Sequence, residues 1–453
     1  MNLIKPNGFV GLLTPSGIYA DKTAARFFKS VSTNGRVGGL LDFENKKIFF
    51  KDIHASFKFC VLILGGEERR FDQTECAFFL HDTKTVHDED RCFPLTPKDF
   101  ARVNPNTGTA PVFRSRRDAE ITRGIYERHP VLVKHLQNRK KRTWRVKYTR
   151  MFDMTNDSDL FRTAEQLDAE GFYPVEGNHW KKGKELYLPL YEGKMVQAFD
   201  HRAASVVVNP ENLNRTGQPR EATPEEHANP NWLPSIRYFV DSSHRKITST
   251  RGYILTYKRI TAATNVRTMI AAIGPHAAYE VNANNILLPT KTEAVACCCI
   301  VSCLNSMAFD YVVRQKIQGV TLNWYIVEQL PLVSPNAYKR EFGATTARDL
   351  VRDHVLRLTY TAHDMSPFAR DLGYDGEPFI WDEEERRHLR ARLDALYFHL
   401  YGLSRDDAEY VLNTFPIVRR EDEAACGTYR TRDMTLAYMN ALAAGDTEAV
   451  VAV

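Results

Sequence analysis

Several short motifs that mark common catalytic and nucleotide-binding sites are absent from this chain. It has no Gly-x4-Gly-Lys-Ser/Thr phosphate loop, no Gly-x-Ser-x-Gly nucleophile turn, and no pair of Cys-x2-Cys zinc knuckles. It also has no Pro-Pro dipeptide and no run of 18 apolar residues. These absences argue against a P-loop nucleotide hydrolase, a serine hydrolase of the nucleophile-turn type, a zinc-ribbon protein and a membrane-spanning helix.

Signals for export are also missing. The first residues lack the charged-then-apolar arrangement of a secretory signal peptide. The eight cysteines lie mostly in apolar surroundings, which is typical of reduced thiols and predicts a cytoplasmic protein. Four of them, Cys297, Cys298, Cys299 and Cys303, fall within one apolar stretch. Their spacing suits zinc poorly, so we expect a buried helix and no metal site.

Length and composition are those of an ordinary globular protein. The chain has 453 residues, of which 43% are hydrophobic and 26% charged. It therefore has enough apolar material for two or three domains with cores of their own.

The positive charge is concentrated in one stretch. Residues 101–150 contain 14 Lys and Arg against 3 Asp and Glu, a net charge of +11, whereas the whole chain carries only +5. Such a concentration is typical of a surface that binds phosphate groups. The alternative for any single basic residue is a solvated surface ion pair, but a cluster of this size is better explained by DNA.

Within and beyond that stretch we predict the residues that contact DNA. A helix beginning after the capping residue Ser115 would present arginines where backbone N–H groups also favour phosphate. An alternating strand around Trp144 would present further cations. Base edges would be read by Asn, Gln or Arg side chains, with Arg251 and Gln318 among the candidates. The predicted DNA-binding residues are Arg114, Arg116, Arg117, Lys140, Lys141, Arg142, Arg145, Lys147, Asn265 and Arg267.

The first hundred residues have an α/β pattern. Residues 8–13 and 57–64 are apolar runs bounded by Gly or Pro, residues 37–43 are a further strand candidate, and residues 21–31 have helical periodicity. We interpret 8–13 as a buried strand. A strand, a helix and two more strands form the second half of a doubly wound sheet, which would leave one broad edge unpaired.

A family resemblance becomes specific in these same segments. Gly8-Phe-Val-Gly-Leu-Leu-Thr-Pro-Ser-Gly17, Leu41-Asp-Phe-Glu-Asn45 and Asn104-Pro-Asn-Thr-Gly-Thr-Ala-Pro111 are similar to successive blocks of adenine-specific (N6) DNA methyltransferases. The later segments 185–202 and 264–272 resemble blocks of the large single-chain enzymes of restriction–modification and phage-exclusion systems. The resemblance implies the C-terminal half of a methyltransferase sheet, followed by a mixed α/β target-recognition domain and a helical tail.

Two motifs of that family are missing. The chain has neither the Phe-x-Gly-x-Gly methyl-donor loop nor the Asn/Asp-Pro-Pro-aromatic catalytic loop. The resemblance therefore implies a chain that corresponds to the part after the catalytic loop. It implies no catalytic residue here, S-adenosylmethionine bound mainly outside this chain, and an upstream methyltransferase half or subunit as a partner beside double-stranded DNA.

Two phenylalanines are candidates for a base pocket. Enzymes of this family flip the target adenine out of the duplex and stack it between aromatic rings. Phe49 and Phe50 lie in a block that resembles one side of that pocket, whereas Phe57 and Phe59 are interpreted as core residues. The alternative for Phe49 and Phe50 is also plain core packing.

The predicted organisation has three parts. Residues 1–100 are the end of the catalytic domain, 101–335 the target-recognition domain, in which 323–331 resembles the closing strand, and 336–453 a helical region. Residues 341–453 hold 13 Lys and Arg against 21 Asp and Glu, so we expect this last part to face away from DNA phosphates. Ser404 is expected to cap one of its helices.

The resulting prediction of function is the DNA-recognition portion of a site-specific adenine-N6 DNA methyltransferase, inactive as this chain alone. Two alternatives stay open: a non-catalytic DNA-specificity subunit and an inactive gene fragment.

Overall fold

The computed structural model describes residues 4–208, 217–247, 251–289, 294–317 and 319–451. The chain forms two compact units. The first consists of Met1–Thr143 and Tyr325–Pro331, and the second of Trp144–Trp324 and Leu332–Val453. The three functional parts that the sequence suggests remain a prediction.

The first unit is built on a mixed five-stranded sheet with the strand order β1-β3-β2-β4-β5. Strand β3 is antiparallel to β1 and β2, which flank it, and β4 is parallel to β2. Strands β1, β2 and β4 therefore run in one direction. The strands are β1 (Phe9–Pro15), β2 (Val37–Glu44), β3 (Lys58–Gly65), β4 (Thr74–Leu80) and β5 (Phe93–Leu95), and a separate hairpin is formed by β6 (Val133–His135) and β7 (Lys140–Arg142).

Strand β1 differs from the prediction. The strand itself is confirmed, but the expectation that it is buried is wrong. Phe9 and Leu13 are 65% and 61% exposed, and Leu12, which points to the opposite face, is 41% exposed. The physical reason is that β1 is an edge strand, paired only with β3 among the described residues.

Helices cover the sheet of the first unit. They are α1 (Gly17–Ala20), α2 (Ala25–Thr33), α3 (Pro97–Val103) and α4 (Arg116–Arg128). Helix α2 begins four residues later than the periodicity suggests. The predicted cap of α4 is confirmed, because the Ser115 side chain accepts a hydrogen bond from the Asp118 N–H. The Tyr126 hydroxyl of α4 donates to the Gln329 carbonyl, which fixes the returning segment to this unit.

The second unit contains two larger sheets. One has the order β14-β11-β10-β9 with β17 also on β11, and the other has the order β16-β15-β18-β8. Its strands are β8 (Lys147–Thr149), β9 (Tyr173–Val175), β10 (His179–Lys182), β11 (Glu185–Tyr191), β12 (Ala204–Val208), β13 (Gly217–Glu221), β14 (Phe239–Asp241), β15 (Tyr253–Lys258), β16 (Ala271–Pro275), β17 (Ala278–Tyr279), β18 (Ala283–Leu287), β19 (Glu341–Phe342) and β20 (Thr345–Thr346). A core that includes Phe152, Tyr191 and Tyr279 packs against strands of both larger sheets.

Two strand predictions are wrong in this region. The segment predicted as a closing strand, 323–331, contains the short helix α9 (Trp324–Val327). An isolated bridge joins its last residue, Pro331, to Val131. The single alternating strand expected around Trp144 is instead two strands, β7 and β8, separated at Trp144, whose indole N–H donates to the Val333 carbonyl.

The other regular elements of the second unit are helices, and those within 347–443 agree with the helical pattern predicted for residues 336–453. The helices are α5 (Ala164–Ala169), α6 (Pro224–Ala228), α7 (Ala294–Asn305), α8 (Met307–Arg314), α10 (Ala347–Thr359), α11 (Ser366–Asp371), α12 (Glu383–Leu400), α13 (Arg405–Asn413), α14 (Pro416–Cys426) and α15 (Arg430–Ala443). The predicted Ser404 cap of α13 is confirmed. The four clustered cysteines of α7 are all buried.

Among the described helices, none by itself is long and apolar enough to cross a membrane. Only α7 and α8 taken together reach the required length and composition, and they bend by 55° at their junction. That junction, at Asn305 and Ser306, interrupts what the sequence suggests is one continuous helix.

The start of α8 is held by a buried carboxylate. Asp394 accepts a hydrogen bond from the Met307 N–H at 2.6 Å. Burial raises the pKa of Asp394 to about 6, whereas an unfolded aspartate has a pKa of about 4. The folded chain therefore binds a proton on Asp394 more tightly than the unfolded chain does. The stabilisation of the fold by this protonation is fully present below about pH 4 and is lost as the pH rises through about 6.

We therefore expect Asp394→Asn, which keeps the acceptor but not the charge, to be more stable than the wild type at pH 8. The difference should approach about 3 kcal/mol in the free energy of unfolding and should shrink near pH 5. Urea denaturation at both pH values measures it, with Asp406→Asn on an exposed position as the control. A difference between Asp394→Asn and the wild type that is independent of pH would contradict the assignment.

Candidate nucleic-acid interface

One edge of the first sheet gathers most of the predicted site residues of the first unit. Because β1, β2 and β4 run in the same direction, their carboxyl ends meet at this edge, which we call the carboxyl edge. Phe59 near the start of β3 pairs with Pro15 of β1 and with Phe43 of β2, which marks the edge in the register. In open α/β sheets, ligands bind outside the carboxyl ends of the strands.

The two candidate base-pocket residues lie at the carboxyl edge. Phe50 is 37% exposed, and its ring meets that of Phe59 edge-on at 5.2 Å. Phe49 is half-buried and packs edge-on against Phe43 and Phe59. Phe49 therefore contributes mainly to the aromatic cluster, whereas Phe50 leaves part of its ring available to a ligand.

Phe79 connects this edge to the basic stretch. The Arg114 guanidinium lies over the Phe79 ring at 4.9 Å and the Lys58 ammonium at 4.3 Å. Phe79 has a left-handed φ of 54°, which is uncommon for a bulky residue. The pairing of β2 with β4 is irregular at this point. Strain and irregular pairing of this kind are concentrated at functional sites.

Burial lowers the pKa of Lys58, and the nearby Arg114 lowers it further, while Asp42 and Glu44 oppose the change. Two cations held this close, with an exposed aromatic ring on the same edge, form a suitable surface for a phosphate. Sequence reasoning missed Lys58 and Phe79 because both lie outside the basic stretch. The Lys58-Phe59 pair at the start of an apolar strand was the only available signal.

The arginines at the start of α4 continue this surface. Arg116 is exposed and donates through Nε and Nη2 to the Glu89 carbonyl, at 3.2 and 3.0 Å. Arg117 is exposed and lies 3.7 Å from Glu120. We call Lys58, Arg114, Arg116 and Arg117 the edge cluster.

A second group of basic residues lies on the β6–β7 hairpin. Lys140, Lys141 and Arg142, which we call the hairpin cluster, are all exposed. The hairpin is anchored by His135, whose Nε2 lies 3.1 Å from Glu328, and by the Asn106 amide, which donates to the Val133 carbonyl. Residues 118–139, which include most of helix α4, separate the two clusters along the chain.

The other predicted DNA contacts belong to the second unit. Arg145, Lys147 and Asn265 are exposed. Arg267 is not part of that surface, because its guanidinium faces the buried Asp310 at 3.6 Å and donates to the Asn305 carbonyl. Arg251 likewise faces inward, where it donates to the Tyr253 hydroxyl. Gln318 lies outside the described residues.

Gly38 and Gly39 do not form a cradle for a methyl donor. A side chain built on Gly38 would meet the Phe71 ring at 2.7 Å, and one on Gly39 would meet Ile63 at 3.0 Å. These positions are filled by the protein's own side chains, so they do not suit S-adenosylmethionine. Among the described residues there is no group of three or more side chains placed to hold a metal ion.

Comparisons with known proteins give only distant likenesses. No family model and no curated protein matches the chain. Among solved structures, 91% of this chain aligns with 50% of the type IIL restriction–modification enzyme MmeI in complex with DNA, at 10% identity and a TM-score of 0.40. It also aligns over 88% of its length with 48% of the type IIG restriction endonuclease BpuSI, at 9% identity and a TM-score of 0.28. The chain thus spans about half the length of each of the two matched proteins.

The position of α4 depends on its cap, and this can be tested. We expect Ser115→Ala to lower the free energy of unfolding by about 1 kcal/mol, because the Asp118 N–H loses its acceptor. Ser115→Asp, which retains an acceptor, should be nearly neutral. Chemical denaturation of the two variants measures this, and equal stabilities would show that the cap does not hold the helix.

Proposed function

We propose that this chain is the DNA-recognition portion of a site-specific adenine-N6 DNA methyltransferase of the restriction–modification or phage-exclusion type. In this proposal the chain supplies the last strands of the catalytic sheet, one wall of the pocket for the target base, and the surfaces that bind the duplex. The methyl-donor site and the catalytic loop belong to a second segment or subunit, which holds S-adenosylmethionine.

The observation that carries this proposal is the free edge of β1. Strands with long apolar runs are normally covered on both faces. Here Phe9 and Leu13 on one face and Leu12 on the other are exposed, and no strand within the described residues pairs with the outer edge. Such an edge is a template for another strand. A donor-binding half-sheet with its own covering helices would extend the sheet and bury these three side chains.

The strand directions support the same division. Strands β1, β2 and β4 run in the same direction, and the antiparallel β3 lies between β1 and β2. The carboxyl ends of β1, β2 and β4 therefore all lie at the carboxyl edge, where ligands bind in open α/β sheets. A flipped adenine would need an aromatic face there and a positive surface for the adjoining phosphates. Phe50 and the edge cluster provide these two features in one place.

The hairpin cluster fits a duplex that extends away from the base pocket. The hairpin cluster and the edge cluster belong to different elements of the first unit, and each would contact phosphates of its own part of the duplex. This arrangement accounts for the concentration of positive charge in residues 101–150.

The DNA-binding part of the proposal predicts a steep dependence on salt. We expect the purified chain to bind duplex DNA and the triple variant Lys140→Ala/Lys141→Ala/Arg142→Ala to bind more weakly. The slope of log K against log[salt] should become less steep by about 2 to 3, since each lost phosphate contact removes about 0.9. Fluorescence anisotropy over a range of salt concentrations measures it.

The matched control replaces three exposed arginines of the acidic helical region, Arg405, Arg419 and Arg420, by alanine. This variant has the same net charge as the hairpin variant, but it should retain the wild-type slope. Equal losses in the two variants would indicate a general effect of net charge, and a flat salt response of the wild type would overturn the proposal.

The assembly part predicts that the chain alone does not methylate DNA. Co-expressed with a donor-binding half, recognised by Phe-x-Gly-x-Gly and Asn-Pro-Pro-aromatic loops in an adjacent reading frame, it should yield N6-methyladenine. The double variant Phe9→Glu/Leu13→Glu should abolish copurification and methylation, because charges would be buried at the joint.

The control is Ile380→Glu, which changes an apolar residue that is 81% exposed in the second unit. It should leave assembly intact. Methylation by the purified chain alone, or unimpaired assembly of the β1 variant, would contradict the division proposed. DNA binding without any such assembly would instead favour a non-catalytic specificity subunit.

A further inference from the structure

The second unit contains a polar pocket whose lining includes none of the predicted DNA-binding residues. It has a volume of about 360 Å³. It is formed where β11 ends, at the turn that follows, at the end of β15 and at the entry to β18. The residues lining it are Met154, Glu192, Gly193, Lys194, Lys258, Ile260, Glu280 and Asn282.

Glu192 is the unusual member of this pocket. Its side chain is only 6% exposed, and its Oε2 accepts from the Lys194 ammonium at 2.8 Å. Its Oε1 is buried without a hydrogen-bond partner among the described residues. A buried carboxylate oxygen without a donor is costly. The Glu192 side chain also accepts from the Met195 N–H, so Oε1 is the one oxygen of this carboxylate that lacks a donor among the described residues.

The neighbouring carboxylate does not share this property. Glu280 accepts from the Gly193 N–H at 2.9 Å and from the Asn282 amide at 3.0 Å. Both of its oxygens are thereby occupied. Glu280 fixes the Gly193 turn next to Glu192, whereas Glu192 alone offers a free acceptor to a ligand.

Lys258 supplies a donor in the same pocket. It is the last residue of β15, it is partly buried, and it forms no ion pair within the described ranges. Burial lowers its pKa, while Asp200 and Glu221 act in the opposite direction. The pocket thus holds an acceptor, Glu192 Oε1, and a donor, the Lys258 ammonium. A ligand that presents a hydrogen-bond donor next to an acceptor would be complementary to this pair.

The surroundings of the pocket are basic. Lys258 of β15 pairs with Ala283 of β18, and Thr149 of β8 pairs with Asn285, so the ends of β15 and β8 lie at the same end of the sheet. Arg150 and Arg259 follow these ends, and both offset in part the rise in pKa that burial causes for the Tyr148 hydroxyl. The end of the sheet thus combines a cationic rim with the acceptor of Glu192.

We propose that this pocket reads a DNA base that carries an exocyclic amino group, adenine or cytosine, with Glu192 Oε1 accepting from the amino group and Lys258 donating to a neighbouring acceptor of the bases. The inference rests on the proposed function and adds to it a determinant of sequence specificity. Both amino groups are exposed in the major groove, where acidic side chains accept from them. The cationic rim would contact the flanking phosphates.

The rest of the pocket supports a base over a metal ion. The Glu280 oxygens are occupied, and no third carboxylate, histidine or cysteine joins Glu192 in the described part of the chain. Divalent cations require more oxygen ligands than one free carboxylate oxygen provides. A base amino group needs a single well-placed acceptor.

The test is selection of bound duplexes from a randomised library by the full 453-residue chain, followed by sequencing. We expect the wild type to prefer adenine or cytosine at one position. Glu192→Leu, which removes the acceptor with little change of side-chain size, should lose about fivefold to a hundredfold of that preference, while the preferences at other positions persist. Glu185→Leu, the same change at an exposed position of the same strand, should retain the full pattern.

A second measurement uses the unaltered protein and is therefore independent of the folding of any variant. At the position identified, adenine is replaced by purine, or cytosine by 2-pyrimidinone, so that only the amino group is lost. We expect binding of the wild type to weaken by the same factor as for Glu192→Leu, with no further loss when the variant and the analogue are combined.

The outcomes separate the inference from the function on which it rests. If the wild type does not bind DNA, the proposed function and this inference both fail. If the wild type selects a sequence that Glu192→Leu selects equally well, or if the analogue binds as tightly as the natural base, only the inference fails. Loss of preference at one amino-bearing position, reproduced by the analogue, establishes it.

Discussion

The second unit depends on the burial of one positive charge. The side chain of Arg202 is fully buried, and an unpaired guanidinium in that position would be prohibitively costly. It donates to the carbonyls of Asn229, Trp232 and His227, and to the carbonyl and hydroxyl of Thr361, at 2.9–3.1 Å. One side chain therefore joins the segment after β11, the loop after α6 and the segment after α10.

The buried charges around Arg202 keep the adjoining parts in register. Asp200 accepts from the Arg202 N–H at 2.7 Å and lies 3.2 Å from the His227 ring, and His201 lies 2.9 Å from Asp364. The strands that form the polar pocket and the helices of the acidic region are thus held by one polar network inside a single unit. The residues proposed to contact a base lie at the ends of strands in this unit. They need such support, because a small displacement of a strand end would move their side chains away from the ligand.

Local signals in the sequence predicted the fold better than the site. The strands β2 and β3 and the caps Ser115 and Ser404 followed from apolar runs and from single polar residues at helix starts. Whether a strand lies at an edge is a long-range property, so the apolar run of β1 looked buried. For the same reason Arg267 looked like a surface cation, although Asp310, its partner, is distant in sequence. Glu192 lies in the segment 185–202 that resembles a family block, but its own part in a site was not predicted, because a missing hydrogen bond is visible only in three dimensions.

The exposed edge of β1 also limits how this chain can exist in a cell. Two copies of an uncovered apolar edge strand can pair with each other, and this self-association grows with concentration. A chain of this kind is therefore best made together with whatever covers its edge, in matching amounts. On this argument the order and spacing of the genes around it would be under selection for protein solubility as well as for control of expression.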